Sequence, residues 1–152
     1  MPLSDYLTPE CIVADMTAIT KEEALDELVG ALSGRCPGLD RGNVLEVLHQ
    51  REELGSTGIG DGVAIPHGKV ESCDGVVIAV GRSLLGCDFK ALDDRKCHVF
   101  SLLLAPNHAA AGHFSVLARL ARIFKHHEFR RQFMEAADAG AIWRLINAAW
   151  RD

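Results

Sequence analysis

The sequence has no surplus of positive charge. Its 152 residues carry 16 Lys and Arg against 21 Asp and Glu, a formal net charge of −5. Broad nucleic-acid binding draws most of its affinity from neutralising phosphates, so nucleic acid is not expected as a partner. There is also no C-x-x-C pair. The cysteines are five in number (Cys11, Cys36, Cys73, Cys87 and Cys97). An odd count speaks for a reducing compartment over a disulfide framework, and nothing here has zinc-ribbon spacing. Long apolar runs are missing too. Val76–Val80 and Leu102–Pro106 are the longest, far below the ~20 residues a membrane helix needs. The opening MPLSDYLTPE has no basic stretch leading into an apolar one, so no signal peptide is read. These absences together predict a cytoplasmic, soluble protein with no membrane insertion.

What is present suits one domain. The chain is 48% hydrophobic and 24% charged, and a domain of this length buries roughly 70% of its unfolded surface without staples. No repeat, linker or low-complexity segment divides it. Thr20 with Glu23 has the form of a capping box, followed by Ala24, Leu25, Leu28, Val29 and Leu32 at helical spacing. Gly34 and Pro37 are expected to stop that helix. Asp40 can cap a second one carrying Val44, Leu45, Val47 and Leu48, ending near Gly55. Val76–Gly81 is a continuous apolar run, as a strand buried on both faces requires, and Cys97–Ala105 is a second buried strand candidate, stopped by Pro106. Three helices should follow. The first is capped by Asn107 and carries Phe114, Leu117, Leu120 and Phe124. The second is marked by Phe129 and Phe133, and the third is capped by Asp138. Helices, then strands, then helices predict an α/β fold: a small mixed sheet flanked by helices on both faces.

The informative stretch is Arg51 to Lys69, REELGSTGIGDGVAIPHGK. Residues 55–68 hold five of the 14 glycines, a density that predicts a shaped loop around one short strand, Val63–Ile65. Pro66 forces Ile65 to be extended. Glycines free the backbone to turn N–H groups inward as an anion cradle. Ser56 and Thr57 add hydroxyl donors, and Arg51 can send a guanidinium fork to the same place. His67 leaves the strand end between Pro66 and Gly68. An imidazole beside donors for phosphate oxygens suggests a nucleophile that accepts a phosphoryl group.

Other readings stay open at this point. A histidine in a glycine-rich loop is by default a turn residue. Arg51 near a helix end is by default a dipole partner, and His113, at the edge of its apolar stripe, a satisfied boundary residue. The run Arg119, Arg122, Lys125, Arg130 and Arg131 reads as a wetted helix face. A metal site from His67, His98, His113 and a cysteine has no supporting spacing. The Walker A pattern fails because Val70 follows Gly68-Lys69 and Val63 stands at the first-glycine place. The dinucleotide fingerprint fails because Gly58-Ile59-Gly60 precedes a strand. No cofactor is expected.

Arg51-Glu52, Gly55-Ser56-Thr57-Gly58-Ile59-Gly60 and Ala64-Ile65-Pro66-His67-Gly68-Lys69 together resemble the signature of the enzyme IIA proteins of the bacterial phosphotransferase system, fructose/mannitol type, which includes the nitrogen-regulatory IIA proteins. The resemblance extends to Leu7-Thr8-Pro9-Glu10, Leu102–Pro106 and the His113 helix, nearly the whole chain. It implies a single phosphocarrier domain, 1–152. Such a domain takes a phosphoryl group from the phosphocarrier HPr, or its nitrogen-branch relative. It passes the group to a cysteine of a IIB domain, or uses it as a mark read by a transporter or sensor kinase. By motif, His67 is similar to the phosphorylated residue, Arg51 to the active-site arginine and His113 to the second histidine. Ser56, Thr57 and loop N–H groups such as that of Gly58 would hold phosphate oxygens, with no metal. Phe114 stands where many relatives have leucine, and 107–112 is rich in small residues. No IIB-like cysteine motif and no IIC-like part is read, so a stand-alone IIA component is expected, with the regulatory branch mildly favoured over sugar uptake.

Overall fold

The computed structural model describes residues 1–150. After two short 3-10 turns the chain forms β1 (Ile12–Val13), α1 (Lys21–Gly30) and α2 (Arg41–Glu53). Three short strands follow: β2 (Gly58–Gly60), β3 (Val63–Ala64) and β4 (His67–Lys69). Two long ones, β5 (Val77–Cys87) and β6 (Cys97–Ala105), lead to α3 (Ala110–Phe124), α4 (His127–Glu135) and α5 (Ala139–Ala149).

The sheet is mixed and runs β1-β5-β6-β3-β2, with β4 also paired to β6. The antiparallel β5–β6 pair is its centre. Every residue of β6 except His98 is buried, as expected where helices cover both faces. One helical layer is α1 with α2, packed against β4 and β5. The other is α3, α4 and α5, packed against β6 and β1. Leu25, Leu28, Leu48, Ile78, Phe100, Leu102, Phe124 and Phe133 lie in the core between them.

Three predicted caps are present. The Thr20 hydroxyl accepts the Glu23 N–H, Asp40 accepts that of Asn43, and Asp138 that of Ala141. Each satisfies one orphan donor of a first helical turn. The predicted span of β6 is met to the residue. Four expectations need correction. First, α1 ends at Gly30, and the chain continues through single turns to Leu39. Second, Asn107 does not cap α3. It opens a 3-10 turn, and its N–H donates to Glu71 at 2.8 Å. Third, β5 does not stop at Gly81 but runs to Cys87. Arg82, which looks like the end of an apolar run, is buried. Its guanidinium donates to the carbonyls of Ala14 (3.0 Å), Phe133 (3.3 Å), Met134 (3.4 Å) and Ala136 (2.5 Å).

The fourth correction concerns the glycine-rich stretch, which is not only loop. It contributes three strands, too short to carry a periodicity of their own: β3 and β4 pair with β6, and β2 pairs with β3. Val63 and Ala64 lie beside Val99 and Phe100, and His67 to Lys69 beside Leu103 to Ala105, all parallel. Pro66 has no N–H for the ladder and so separates β3 from β4, yet its carbonyl still accepts from Leu103. His67 therefore opens a strand rather than trailing one. Among the described residues no helix is long and apolar enough to cross a membrane.

Candidate functional site

His67 is placed by the β6 register, opposite Leu103. Its Nδ1 lies 2.8 Å from the carbonyl oxygen of Ile65. A carbonyl only accepts, so Nδ1 carries the proton of the neutral ring and Nε2 holds the free lone pair. Burial pushes the ring's pKa below its ordinary value. The bond to Ile65 pulls it back up, the Arg51 charge pushes it down and the Glu52 charge draws it up. The balance favours a neutral imidazole.

His113 comes from α3 and faces His67, with ring centroids 5.8 Å apart and planes at 54°. The sequence reading placed it at the edge of the apolar stripe; it is in fact buried at 8% exposure. Its Nε2 is buried with no hydrogen-bond partner. Burial, then the charges of His67 and Lys69, lower its pKa as well. An unpaired buried polar atom costs about 1–3 kcal/mol.

The rest of the loop is more committed than its composition suggests. Arg51, half-buried at the end of α2, donates through Nη1 to the Gly55 carbonyl at 2.9 Å. Gly55 has φ +148°, open to glycine at little cost. The Ser56 hydroxyl donates to the Phe89 carbonyl at 3.3 Å and accepts the Gly58 N–H at 3.0 Å. Thr57 is 3% exposed. Its N–H donates to Glu52 Oε1 at 3.1 Å and its hydroxyl donates to Glu52 Oε2. The structure thus brings His67, His113 and the Arg51 charge together, while Thr57 and Gly58 spend their donors inside the loop. His98 is elsewhere, near the start of β6, with Nδ1 2.8 Å from the Ser83 carbonyl oxygen.

Glu52, quoted in the signature, is the residue to which the sequence reading gave no role. It is buried and paired with Lys21 Nζ at 2.8 Å. A signal existed: Val44, Leu48 and Glu52 recur every four residues and share the buried stripe of α2.

A mixed sheet between two helical layers, with a pair of imidazoles at one short strand, is the architecture of a phosphotransferase-system IIA domain. Residues 5–149 match the family described as phosphoenolpyruvate-dependent sugar phosphotransferase system, EIIA 2, and the chain belongs to that family. It is similar to the nitrogen regulatory protein of Bradyrhizobium diazoefficiens, 36% identical over 146 residues, covering 96% of this chain and 95% of that one. It is also similar to the fructose-specific EIIABC component of Bacillus subtilis, 35% identical over 97% of this chain, which corresponds to 23% of that longer protein. The crystal structure of the nitrogen regulatory protein IIA-Ntr from Neisseria meningitidis superposes with a TM-score of 0.88 at 31% identity, over 95% of this chain and 98% of that one.

Proposed function

We propose that the chain is one phosphocarrier domain acting in the cytoplasm, with Nε2 of His67 as the acceptor. The lone pair of Nε2 attacks the phosphorus of a phosphohistidine on an HPr-like donor. A P–N bond forms to His67 as the P–N bond to the donor breaks, and the donor imidazole leaves with the electron pair. The Nδ1 proton stays on His67, held by Ile65. The ring carries positive charge after attack, and the phosphoryl group remains a labile phosphoramidate for the next acceptor.

The observation that carries this reading is the fixed tautomer of His67 beside the unpartnered nitrogen of His113. An Nε2–H on His113 would donate to a phosphoryl oxygen. That bond exists only once phosphate is present, so it lowers the transfer barrier without tightening the empty site. Arg51 releases Gly55 to meet the same oxygens, whereas the Ser56 hydroxyl and the Thr57 and Gly58 N–H groups are held by partners within the protein. Thr57 acts from behind, by holding the loop. Protein groups alone supply the step.

The regulatory branch is favoured because two nitrogen-regulatory relatives match this chain over nearly their whole length. In that branch the phosphorylation state decides which transporter or sensor kinase is bound. Sugar uptake, with transfer to a IIB cysteine, is the second reading. The fructose-specific relative favours it, since its name joins A, B and C parts in one protein. Five free cysteines are in keeping with a reducing compartment. The test is labelling of purified protein by phosphorylated HPr-type carrier, then a chase with IIB domains. Acid-labile label on His67 supports the carrier reading, and rapid loss of label to IIB supports uptake. Absence of label on His67 overturns the carrier reading.

A further inference from the structure

Four hydrogen bonds, all donated in one direction, run from the His67 ring to a buried carboxylate in three steps, the last step doubled. His67 Nδ1–H donates to the Ile65 carbonyl at 2.8 Å. The Ile65 N–H donates to the Thr57 carbonyl at 3.0 Å. The Thr57 N–H donates to Glu52 Oε1 at 3.1 Å, and the Thr57 hydroxyl donates to Glu52 Oε2. Every donor along this path points towards the negative charge. Hydrogen bonds so aligned polarise one another in a low-dielectric interior.

The carboxylate is itself held from the far side. Lys21, the first residue of α1, reaches Glu52 Oε1 at 2.8 Å, and both side chains are nearly covered, at 12% and 5% exposure. The ammonium also lies 4.8 Å from the centre of the Phe89 ring, and the Phe89 carbonyl accepts the Ser56 hydroxyl. One carboxylate therefore joins α1, α2, the 55–57 turn and the strand segment that presents His67. A buried ion pair is an expensive way to gain stability alone, since desolvating the charges offsets most of their attraction.

We infer that Glu52, braced by Lys21, is a positioning residue for His67: through Thr57 and Ile65 it holds the imidazole in the Nδ1–H form, so that the lone pair stays on Nε2. Which nitrogen is the nucleophile rests on the function proposed above; the coupling of Glu52 to the tautomer does not. Without the carboxylate, the Thr57 backbone loses its anchor, Ile65 loses its fixed acceptor, and the ring is free to exchange its proton between the two nitrogens. Glu52 also stabilises the positive ring formed after attack, because the aligned bonds carry its field to Nδ1.

The test compares Glu52→Gln, Thr57→Val and Thr57→Ser with the parent protein. The tautomer of His67 is read from its ring nitrogen resonances by 15N NMR, and the rate of labelling by phosphorylated HPr-type carrier is measured alongside. The parent should show one tautomer. Glu52→Gln should show a mixture and label up to about 10²-fold more slowly, the scale on which misplacement of a reacting group acts. Thr57→Val keeps the ion pair and the Thr57 N–H and should move both readouts less. Thr57→Ser keeps the hydroxyl and should behave as the parent. A Glu52→Gln protein that is folded and keeps the parent tautomer overturns the inference, whether labelling is slow or not. If Glu52→Gln does not fold, Thr57→Val decides by the same tautomer readout, and an unchanged ring there overturns it. A parent protein that takes no label while its tautomer still answers to Glu52 sinks the phosphocarrier reading and leaves the positioning role standing.

Discussion

The imidazoles of His67 and His113 lie 5.8 Å apart, yet one is tied to a backbone carbonyl and the other has a buried nitrogen with no partner. The pair is asymmetric, and the proposed roles follow from that: a fixed ring attacks and an unsatisfied ring receives. His67→Ala should abolish labelling by phosphorylated carrier. His113→Ala should keep the label on His67 but slow its arrival by about 10²-fold, the usual size of a lost transition-state donor. Rapid-quench labelling measures both. Equal rates for His113→Ala and the parent would remove His113 from the mechanism.

Acid should weaken the fold through these same rings. Both have pKa values lowered from the ordinary histidine value of about 6.5, chiefly by burial. Below that value the unfolded chain binds protons that the folded one refuses, so stability falls with pH. The contribution is fully present above about 6.5. It is lost progressively as pH drops towards the depressed folded values, and is flat below them. Urea midpoints taken across this range should decline less in a His67→Gln, His113→Gln double variant. Parallel curves would show that other groups carry the acid response.

Gly58 is there for close approach. A Cβ built on it meets the Cα and Cβ of Ala91 at 2.8 Å, and backbone cannot yield as a side-chain tip can. Gly58→Ala should cost about 1–3 kcal/mol, the usual range for overpacking, and should slow labelling by shifting the 56–58 turn. Chemical denaturation with matched labelling rates checks this. A variant of unchanged stability would mean that the 88–92 segment moves aside freely.

Arg82 ties the middle of β5 to the residue after β1 and to the C-terminus of α4. Arg82→Met keeps much of the stem and removes every donor. Several carbonyls then lose a charged partner, and the loss of stability should be on the order of 3 kcal/mol. The urea midpoint should fall with the slope unchanged. A variant within about 0.5 kcal/mol of the parent, the range of a neutral surface change, would show that water replaces the guanidinium.

The predicted parts that held share one property: their cause is local. Thr20, Asp40 and Asp138 cap helices with their own side chains, and Cys97–Ala105 is apolar at nearly every position. The parts that failed depend on distant partners. Arg82 ends an apolar run by composition, but lies inside the protein because carbonyls from other segments meet it. Glu52 was given no role by the sequence, because only Lys21, 31 residues away, together with the folded-back Thr57, makes it internal.

Composition, caps and the long apolar strands were enough to define an α/β domain, because helix starts, buried strands and glycine-dense turns leave their mark on neighbouring residues. Which nitrogen of His67 is free, which ring stands beside it, and which loop hydroxyl turns inward were decided only when β6 aligned β3 and β4 and α3 brought His113 beside His67. Those are relations between groups far apart in the chain, and hydrogen-bond direction and desolvation come into being only once the groups meet.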